Sequence, residues 1–338
     1  MKAVPYTIVG FGGVGKNHAL AACQAALYFP GEWIPQLAGV MNRTPHAAPL
    51  PGVPHFTDLA KMTGECKPAF LDLCMPHHLR KDAFLFAAEH RLPVYCEKPL
   101  ADTLRTAEEL AEIAKDLPVG LAFVYRYLPA VSLMKENLSL IGNPIDFKAV
   151  FFHDSYLLPR PKTWRMTCEN GGGALLDLGV HFLDLLAYLL GPLTYESGDK
   201  GIYFKDRNEV EEFGRMVLKA PICSGTLEVS RIHATEEGGK TVTLYGERGS
   251  LFIDLEKPYE LRHYDLASRT TQILRASDAF LSALLYPAPR NSLGFYQDAH
   301  TCSLMHFARL VATGEPDPLL PTLQDGLAAQ KLLAQILE

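Results

Sequence analysis

Residues 8–19 read IVGFGGVGKNHA, and this stretch decides the fold of the N-terminal part of the chain. An apolar strand pattern ends in the glycine pattern GxGxxG, which opens a helical pattern. In such a loop the first glycine permits the turn, the second lets a pyrophosphate approach the backbone, and the third lets strand and helix pack closely. A tight strand-to-helix turn would also use glycine, but the position at the first strand of an alternating series favours a dinucleotide site. The loop residues of this predicted site are Gly10, Gly12, Gly13, Val14 and Gly15.

Short apolar runs alternate with helical patterns from residue 4 to about residue 124. This alternation is typical of a parallel sheet with helices on both faces. The runs are VPYTIVG (4–10), IPQLAGVM (34–41), AFLDLCM (69–75), PVYCE (93–97) and VGLAFV (119–124), with helical patterns such as residues 81–90 and 103–115 after most of them. We therefore expect an α/β dinucleotide-binding domain over residues 1–124.

Beyond residue 125 the pattern changes to strand-like runs without regular helices between them. The runs cover residues 146–154, 213–220, 224–234 and 240–255, and YGERGS at 245–250 predicts a hairpin turn. Alternating polar and apolar positions in these runs predict a sheet with one packed face and one more polar face. Helical patterns at 295–313 and 323–337 follow. We expect a second, α+β domain over residues 125–338.

The composition is that of an ordinary soluble globular protein. The 338 residues carry a formal net charge of −6, with 21% charged and 48% hydrophobic residues, which argues against binding to nucleic acid or to an acidic membrane surface. No apolar stretch reaches the roughly 18 residues of a membrane span, and the N-terminus lacks the pattern of a signal peptide. Seven cysteines without a CxxC pair argue against a disulfide framework or a zinc ribbon and suit a reducing cytoplasm.

The end of the second predicted strand bears on the choice of cofactor. An acidic residue usually stands there when the adenosine ribose has free hydroxyls. Here the sequence reads MNRT, and Asn42, Arg43 and Thr44 could instead hold a 2′-phosphate, for which a guanidinium is the best partner. These residues favour NADP(H) over NAD(H). The alternative is that Arg43 is a solvated loop charge.

A polar stripe interrupts the apolar helical pattern over residues 171–191. Asp177, His181 and Asp184 fall at i, i+4 and i+7, on one face of an α-helix. Burying such groups is costly unless they are paired or face a wet cavity, so the stripe predicts a polar partner or a pocket. A histidine beside a carboxylate suits proton transfer near neutral pH. A core histidine or a metal pair are the alternatives, although spacing suggests no third ligand, and Asp184 is interpreted as structural.

Glu97 and Lys98 stand at the carboxyl end of the fourth predicted parallel strand. Open α/β sheets bind their ligands at that end. Together with the glycine loop, the segments CEKPL (96–100) and GGGALLDLGVHFLD (171–184) resemble, in this order, the Gfo/Idh/MocA oxidoreductases. The segments YRYLP (125–129) and TWR (163–165) are similar to two further motifs of that family.

The resemblance implies a Rossmann domain followed by a domain with an open-faced, mostly antiparallel sheet. It implies that Lys98 polarises the reacting oxygen beside the nicotinamide, that Asp177 orients the substrate and that His181 is the general acid or base. The Lys98–Pro99 bond is often cis in the family, and the family usually has histidine where this chain has Arg80. Further implied cofactor contacts are Pro76, His77, Glu97, Lys98, Arg126, Trp164 and Arg165. The implied substrate contacts are Lys98, Tyr127, Tyr156, Asp177 and His181.

These expectations lead to an NAD(P)-dependent oxidoreductase that moves a hydride between nicotinamide and a secondary alcohol or ketone of a sugar, cyclitol or related polyol. The resemblance also implies a homodimer or homotetramer. Two alternatives are a non-catalytic dinucleotide-binding regulator of the same fold and a redox-assisted glycoside hydrolase.

Overall fold

The computed structural model describes residues 2–29, 31–44 and 50–338. The chain forms two compact units. The first comprises Met1–Ala101, Arg105–Val124 and Leu281–Leu327, and the second comprises Asp102–Leu104, Tyr125–Phe280 and Ala328–Glu338. Residues 281–327, which the sequence assigned to the second domain, therefore belong to the first unit. In the described part of the chain, no helix is both long and apolar enough to cross a membrane.

The first unit contains a six-stranded sheet in which all neighbouring strands are parallel. Its strands are β1 (Lys2–Val9), β2 (Trp33–Met41), β3 (His55–Phe56), β4 (Phe70–Leu73), β5 (Val94–Cys96) and β6 (Val119–Leu121). The strand order is β3-β2-β1-β4-β5-β6, the order of a Rossmann fold, so the predicted fold of this part is confirmed. β4, β5 and β6 are buried along their whole length, as expected for a sheet covered on both faces.

The second unit contains an eight-stranded sheet in the order β14-β13-β12-β11-β7-β10-β9-β8. Its strands are β7 (Pro144–Phe152), β8 (Thr194–Gly201), β9 (Phe213–Lys219), β10 (Ser224–Ser230), β11 (Lys240–Gly246), β12 (Gly249–Asp254), β13 (Glu260–Asp265) and β14 (Thr270–Arg275). β7 and β10 pair in parallel and the other neighbours are antiparallel, which confirms the predicted mostly antiparallel sheet. The predicted hairpin also forms, because Gly246 pairs with Gly249 across a two-residue loop.

The α-helices are α1 (Gly13–Tyr28), α2 (Leu59–Cys66), α3 (Lys81–His90), α4 (Leu104–Ile113), α5 (Pro129–Glu136), α6 (Val180–Leu190), α7 (Asp278–Ala283), α8 (Phe295–Thr313) and α9 (Leu323–Leu337). In the first unit, α8 is buried from Asp298 to Ala308, and Phe307 lies 5.1 Å from the ring of Phe70 and 5.4 Å from that of Tyr95. This packing explains why residues 281–327 join the first unit.

The predicted helix over 171–191 is not a continuous α-helix. A π turn spans Leu175–Gly179, and α6 follows it directly. π turns inside helices are rare and often occur at functional sites.

Candidate active site

The glycine loop joins β1 to α1 in the first unit. Gly10 has a φ of +100°, and a Cβ there would lie 2.6 Å from the backbone nitrogen of Met75. A Cβ on Gly15 would lie 2.5 Å from the carbonyl oxygen of Gly10, so both positions require glycine. At Gly12 and Gly13 an added Cβ would meet no described atom within 4 Å. The loop thus leaves open space beside the N-terminus of α1, as a bound pyrophosphate requires.

Asn42 holds the glycine loop from the end of β2. The backbone N–H of Phe11 donates a hydrogen bond of 2.7 Å to Oδ1 of Asn42. Arg43 and Thr44 are exposed. Among the residues that were predicted to hold a 2′-phosphate, Asn42 therefore has a structural contact, and the other two side chains face solvent.

Arg80 supports the turn that carries Lys98. The Lys98–Pro99 peptide bond is cis. The Arg80 guanidinium donates to the carbonyl oxygens of Pro99, of Leu100 at 3.3 Å and of Met75 at 3.3 Å, and the residue is 2% exposed. The Arg80 side chain thus links the backbone of the Lys98 turn to the backbone that follows β4.

A buried cluster lies behind Glu97, and the sequence patterns did not reveal it. We call His18, Asp72, Cys74, Glu97 and His300 the His18 cluster. His18 Nδ1 donates to Asp72 Oδ2 at 2.8 Å, and His18 Nε2 lies 3.1 Å from both Glu97 Oε1 and His300 Nδ1. Cys74 Sγ lies 3.2 Å from His18 Nδ1. Glu97 and His18 are 6% and 1% exposed, so this network anchors the residue that precedes Lys98.

Charges compensate one another inside the His18 cluster. Burial alone would lower the pKa of His18, but the Asp72 carboxylate raises this pKa well above its usual value. Burial would raise the pKa of Glu97, but the hydrogen bond from His18 helps lower it to about 2. Burial and the charge of His18 lower the pKa of His300 to about 3. Two triads in this cluster have the donor types of a metal site, but a protonated His18 has no lone pair to offer a cation.

The second unit carries Asp177 within the π turn. Asp177 Oδ2 forms an ion pair with Nη2 of Arg231 and lies 3.3 Å from Nε of Arg165. The sequence predicted the histidine at i+4 as its neighbour. A π turn holds more residues than an α turn, so the i, i+4 spacing no longer places two side chains on one line. Sequence reasoning missed Arg231, because it is remote in the chain and no motif marks it.

His181 and Asp184 have partners other than Asp177. His181 is 6% exposed, and its ring lies 4.8 Å from that of Tyr125 and 6.4 Å from that of Phe151. Asp184 accepts hydrogen bonds from Arg126, at Oδ2 from Nε at 2.8 Å and at Oδ1 from Nη2. Arg126 and Asp184 are 5% and 2% exposed. The guanidinium that was predicted to contact the cofactor is thus held in a buried, bidentate ion pair.

The other residues that were predicted to contact cofactor or substrate differ in how far their side chains are exposed. Trp164 and Arg165 are half-buried, with the guanidinium carbon 4.3 Å from the indole centroid. Tyr127 is 0% exposed, so any direct contact with substrate would require its neighbours to move. Tyr156 is also buried. In the first unit, Pro76 and Lys98 are half-buried, and His77 is buried with its ring against that of His78.

Glu211 sits at the start of the π turn and was not predicted. Its Oε1 accepts a hydrogen bond of 3.0 Å from the backbone N–H of Leu175. Gly173, with a φ of +117°, makes room for this carboxyl group, because a Cβ there would lie 2.2 Å from Oε1. Burial raises the pKa of Glu211 to about 7. The glycine-rich segment before Asp177 therefore serves a close approach by Glu211.

Two family models match the chain. The model of the oxidoreductase family with an NAD-binding Rossmann fold matches residues 4–125, and the model of the GFO/IDH/MocA C-terminal domain matches residues 139–252. Levoglucosan dehydrogenase of Pseudarthrobacter phenanthrenivorans is 25% identical over 290 residues, which are 75% of this chain and 74% of that protein. Glucose-6-phosphate 3-dehydrogenase of Bacillus subtilis is 24% identical over 79% of this chain and 78% of its own length. The crystal structure of an NAD binding oxidoreductase from Klebsiella pneumoniae superposes with a TM-score of 0.86 at 26% identity, covering 99% of this chain and 96% of the other.

Proposed function

The chain belongs to the GFO/IDH/MocA family of oxidoreductases, and on this basis we propose that it transfers a hydride between a nicotinamide cofactor and a secondary alcohol or ketone of a sugar, cyclitol or related polyol. The observation that carries the proposal is the glycine loop of the Rossmann sheet, where Gly12 and Gly13 leave room for a pyrophosphate. The two dehydrogenase relatives are named after sugar substrates, and these names support the proposed substrate class.

The side chains have separate tasks in this reaction. The bound cofactor supplies the hydride chemistry. Lys98 Nζ donates a hydrogen bond to the reacting oxygen and polarises it. The imidazole of His181 takes the hydroxyl proton during oxidation and returns it during reduction. Asp177 orients the substrate. His18 holds the side chain of Glu97, and Arg80 holds the carbonyl of Pro99, so the residues before and after Lys98 in the chain are both fixed.

Two substitutions test this assignment. Lys98→Ala and His181→Ala should abolish turnover of polyols, because each removes a group that acts on the reacting oxygen, while cofactor binding is largely retained. Turnover is measured by the absorbance of the reduced nicotinamide and binding by titration calorimetry. Lys61→Ala and His90→Ala, at exposed positions of the first unit, are the matched controls and should retain activity. Full activity in either test variant would refute the assignment.

We propose that the preferred cofactor is NADP(H). The support is the missing carboxylate at the end of β2 together with the exposed Arg43 and Thr44 beside it. Arg43→Ala should weaken the binding of NADP(H) more than that of NAD(H), because only the former carries the 2′-phosphate. Arg105→Ala, whose side chain is 89% exposed, is the control. An equal effect of Arg43→Ala on both cofactors would remove the reason for this preference.

We also propose that the protein is a homodimer or homotetramer. The open face of the second unit's sheet carries the exposed apolar side chains of Tyr245, Tyr264 and Ile273. Paired residues of β11 to β14 place these side chains on one face. Light scattering coupled to gel filtration measures the mass, and a monomer would contradict the proposal.

A further inference from the structure

Three guanidinium groups gather around Asp177 and Tyr156 in the second unit. We call Arg160, Arg165 and Arg231 the arginine cluster. Arg231 and Arg165 both pair with Oδ2 of Asp177. The guanidinium carbons of Arg231 and Arg160 lie 5.0 Å and 5.6 Å from the ring centroid of Tyr156. The cluster is therefore one local site, built from two separate stretches of the second unit, residues 160–165 and residue 231.

The arginine cluster holds more positive than negative charge. In the part of the chain that the structure describes, Asp177 is the carboxylate paired with it. Arg160 donates to the carbonyl oxygen of Ser155 at 3.3 Å, and Nη1 of Arg231 donates to the hydroxyl of Ser155 at 3.2 Å. These are neutral acceptors, so three cations share one anion.

The groups around the arginine cluster add little negative charge. His153 lies within the electrostatic reach of Arg231, Lys240 and Arg160, and its pKa is lowered by burial and by these cations. Asp154, the acid beside His153, has a side chain that is 66% exposed, so solvent screens it. His153 and Asp154 therefore do not offset the positive charge of the arginine cluster.

Burial makes this excess costly for Arg231. Its side chain is 10% exposed, and burial together with the charges of Arg165 and Arg160 lowers its pKa to about 10, against an opposing effect of Tyr156. Nε of Arg231 and the hydroxyl of Tyr156 are buried, and the described residues offer neither a hydrogen-bond partner. A buried guanidinium with an unsatisfied N–H, close to two further cations, is unfavourable unless more negative charge compensates it. Arg160 and Arg165 extend to solvent, the latter with 39% of its side chain exposed, and a ligand can reach them there.

We propose that the substrate is an anionic polyol, a sugar acid or sugar phosphate, whose carboxylate or phosphate binds to the arginine cluster beside Asp177. Guanidinium groups bind both kinds of anion in a bidentate manner. The inference rests on the proposed function, since it names the substrate class of the same reaction. It also assigns Arg231 as a specificity residue that holds Asp177 and supplies charge.

Matched substrate pairs test the inference. Glucose is compared with glucuronate and with glucose 6-phosphate, and myo-inositol with its monophosphate, each with both nicotinamide cofactors. The anionic member of at least one pair should have a kcat/KM that is at least ~10-fold higher, because a charge-assisted contact is lost with the neutral member. The carboxylate and phosphate arms identify which anion is bound. Equal or better turnover of the neutral members would overturn the inference and leave the proposed oxidoreductase function intact.

An exposed member of the cluster provides the variant. Arg160→Gln should raise KM for the anionic substrate severalfold more than KM for its neutral counterpart, because only the anionic substrate loses a charge-assisted contact. Arg215→Gln is the matched control, because it removes the same charge from an exposed position on β9 that pairs with Asp199. Equal effects of Arg160→Gln on both substrates would contradict the inference.

A binding measurement separates the two proposals. Inorganic phosphate should raise the melting temperature of the wild-type protein and raise that of Arg160→Gln less, by mass action on the native state. If this holds while no polyol is turned over, the anion site stands and the proposed reaction falls. If phosphate stabilises neither protein, or both equally, the anion site falls.

Discussion

Glu97→Gln tests the charge network behind Lys98. Gln keeps the shape of the side chain and removes its charge, which leaves His18 with Asp72 as its anionic partner. Each pKa unit corresponds to about 1.4 kcal/mol, so the displacement of the Glu97 pKa from 4.5 to about 2 corresponds to roughly 3 kcal/mol of stability at neutral pH. Removing one partner of a buried ion pair typically costs about 3–5 kcal/mol, which agrees with this value.

The assay is thermal unfolding of the cofactor-free protein at pH 7. A loss of about 3 kcal/mol should lower the melting temperature by roughly 6–12 °C for a unit of this size. Because the pKa of Glu97 is lower in the folded state, its contribution is complete above pH 4.5 and is lost as the pH falls toward 2. The difference between variant and wild type should therefore narrow below pH 4.5. Glu112→Gln, which breaks an exposed pair with Lys115, should leave the melting temperature near the wild-type value. If Glu97→Gln at pH 7 did the same, the charge argument would be refuted.

Four further variants probe other buried groups by thermal unfolding. Arg80→Met should cost at least ~3 kcal/mol, because it leaves buried carbonyls around the Lys98 turn without a charged donor; an unchanged melting temperature would contradict this. The folded pKa of Glu211, about 7, lies above the unfolded value, so wild-type stability should fall as the pH rises from 4.5 through 7. Glu211→Gln should match wild type near pH 4.5 and be more stable at pH 8, and an equal decline of both proteins would refute the effect. Asp184→Asn should destabilise by about 3–5 kcal/mol, whereas the pair Arg126→Met and Asp184→Leu should cost less, since it leaves no buried charge; the reverse order would contradict the ion-pair argument.

The sequence predicted those strands that are buried, because buried strands consist mainly of apolar residues. All five apolar runs between residues 4 and 124 are strands of the parallel sheet. Both faces of that sheet are covered, so its strands are rich in apolar residues. β3, β8, β13 and β14 were not predicted. β8 reads TYESGDKG and is mostly exposed, so its pairing with β9 rather than its own side chains makes it a strand. No periodicity marks such an edge strand before its neighbour is known.

For helix α8 the sequence predicted the element but not how deeply it is buried. Its pattern predicted the helix with its observed bounds, but not the burial of its middle part, from Asp298 to Ala308. Asp298, His300, Thr301 and His306 lie inside the first unit, where they are 0–3% exposed. Their burial is tolerated because partners on other elements satisfy them, such as Gln24 Nε2, which donates to Asp298 at 2.6 Å. A sequence pattern shows that a residue is polar, but it does not show which remote residue will form a hydrogen bond with that side chain.

The partners of Asp177 were likewise not identifiable from the sequence, because one of them is remote in the chain. The helical spacing identified Asp177 as a costly group that needs a partner, and this physical reasoning is independent of the geometry of the turn. The spacing placed His181 beside Asp177 on an ideal α-helix, and in the structure the carboxylate within the π turn pairs with Arg165 and Arg231, which helical spacing could not indicate. Two guanidinium groups compensate the charge of the Asp177 carboxylate, and the rings of Tyr125 and Phe151 lie beside His181. The demand for a partner can thus be derived from local sequence, but the identity of the partner depends on the fold, which brings the remote Arg231 to Asp177.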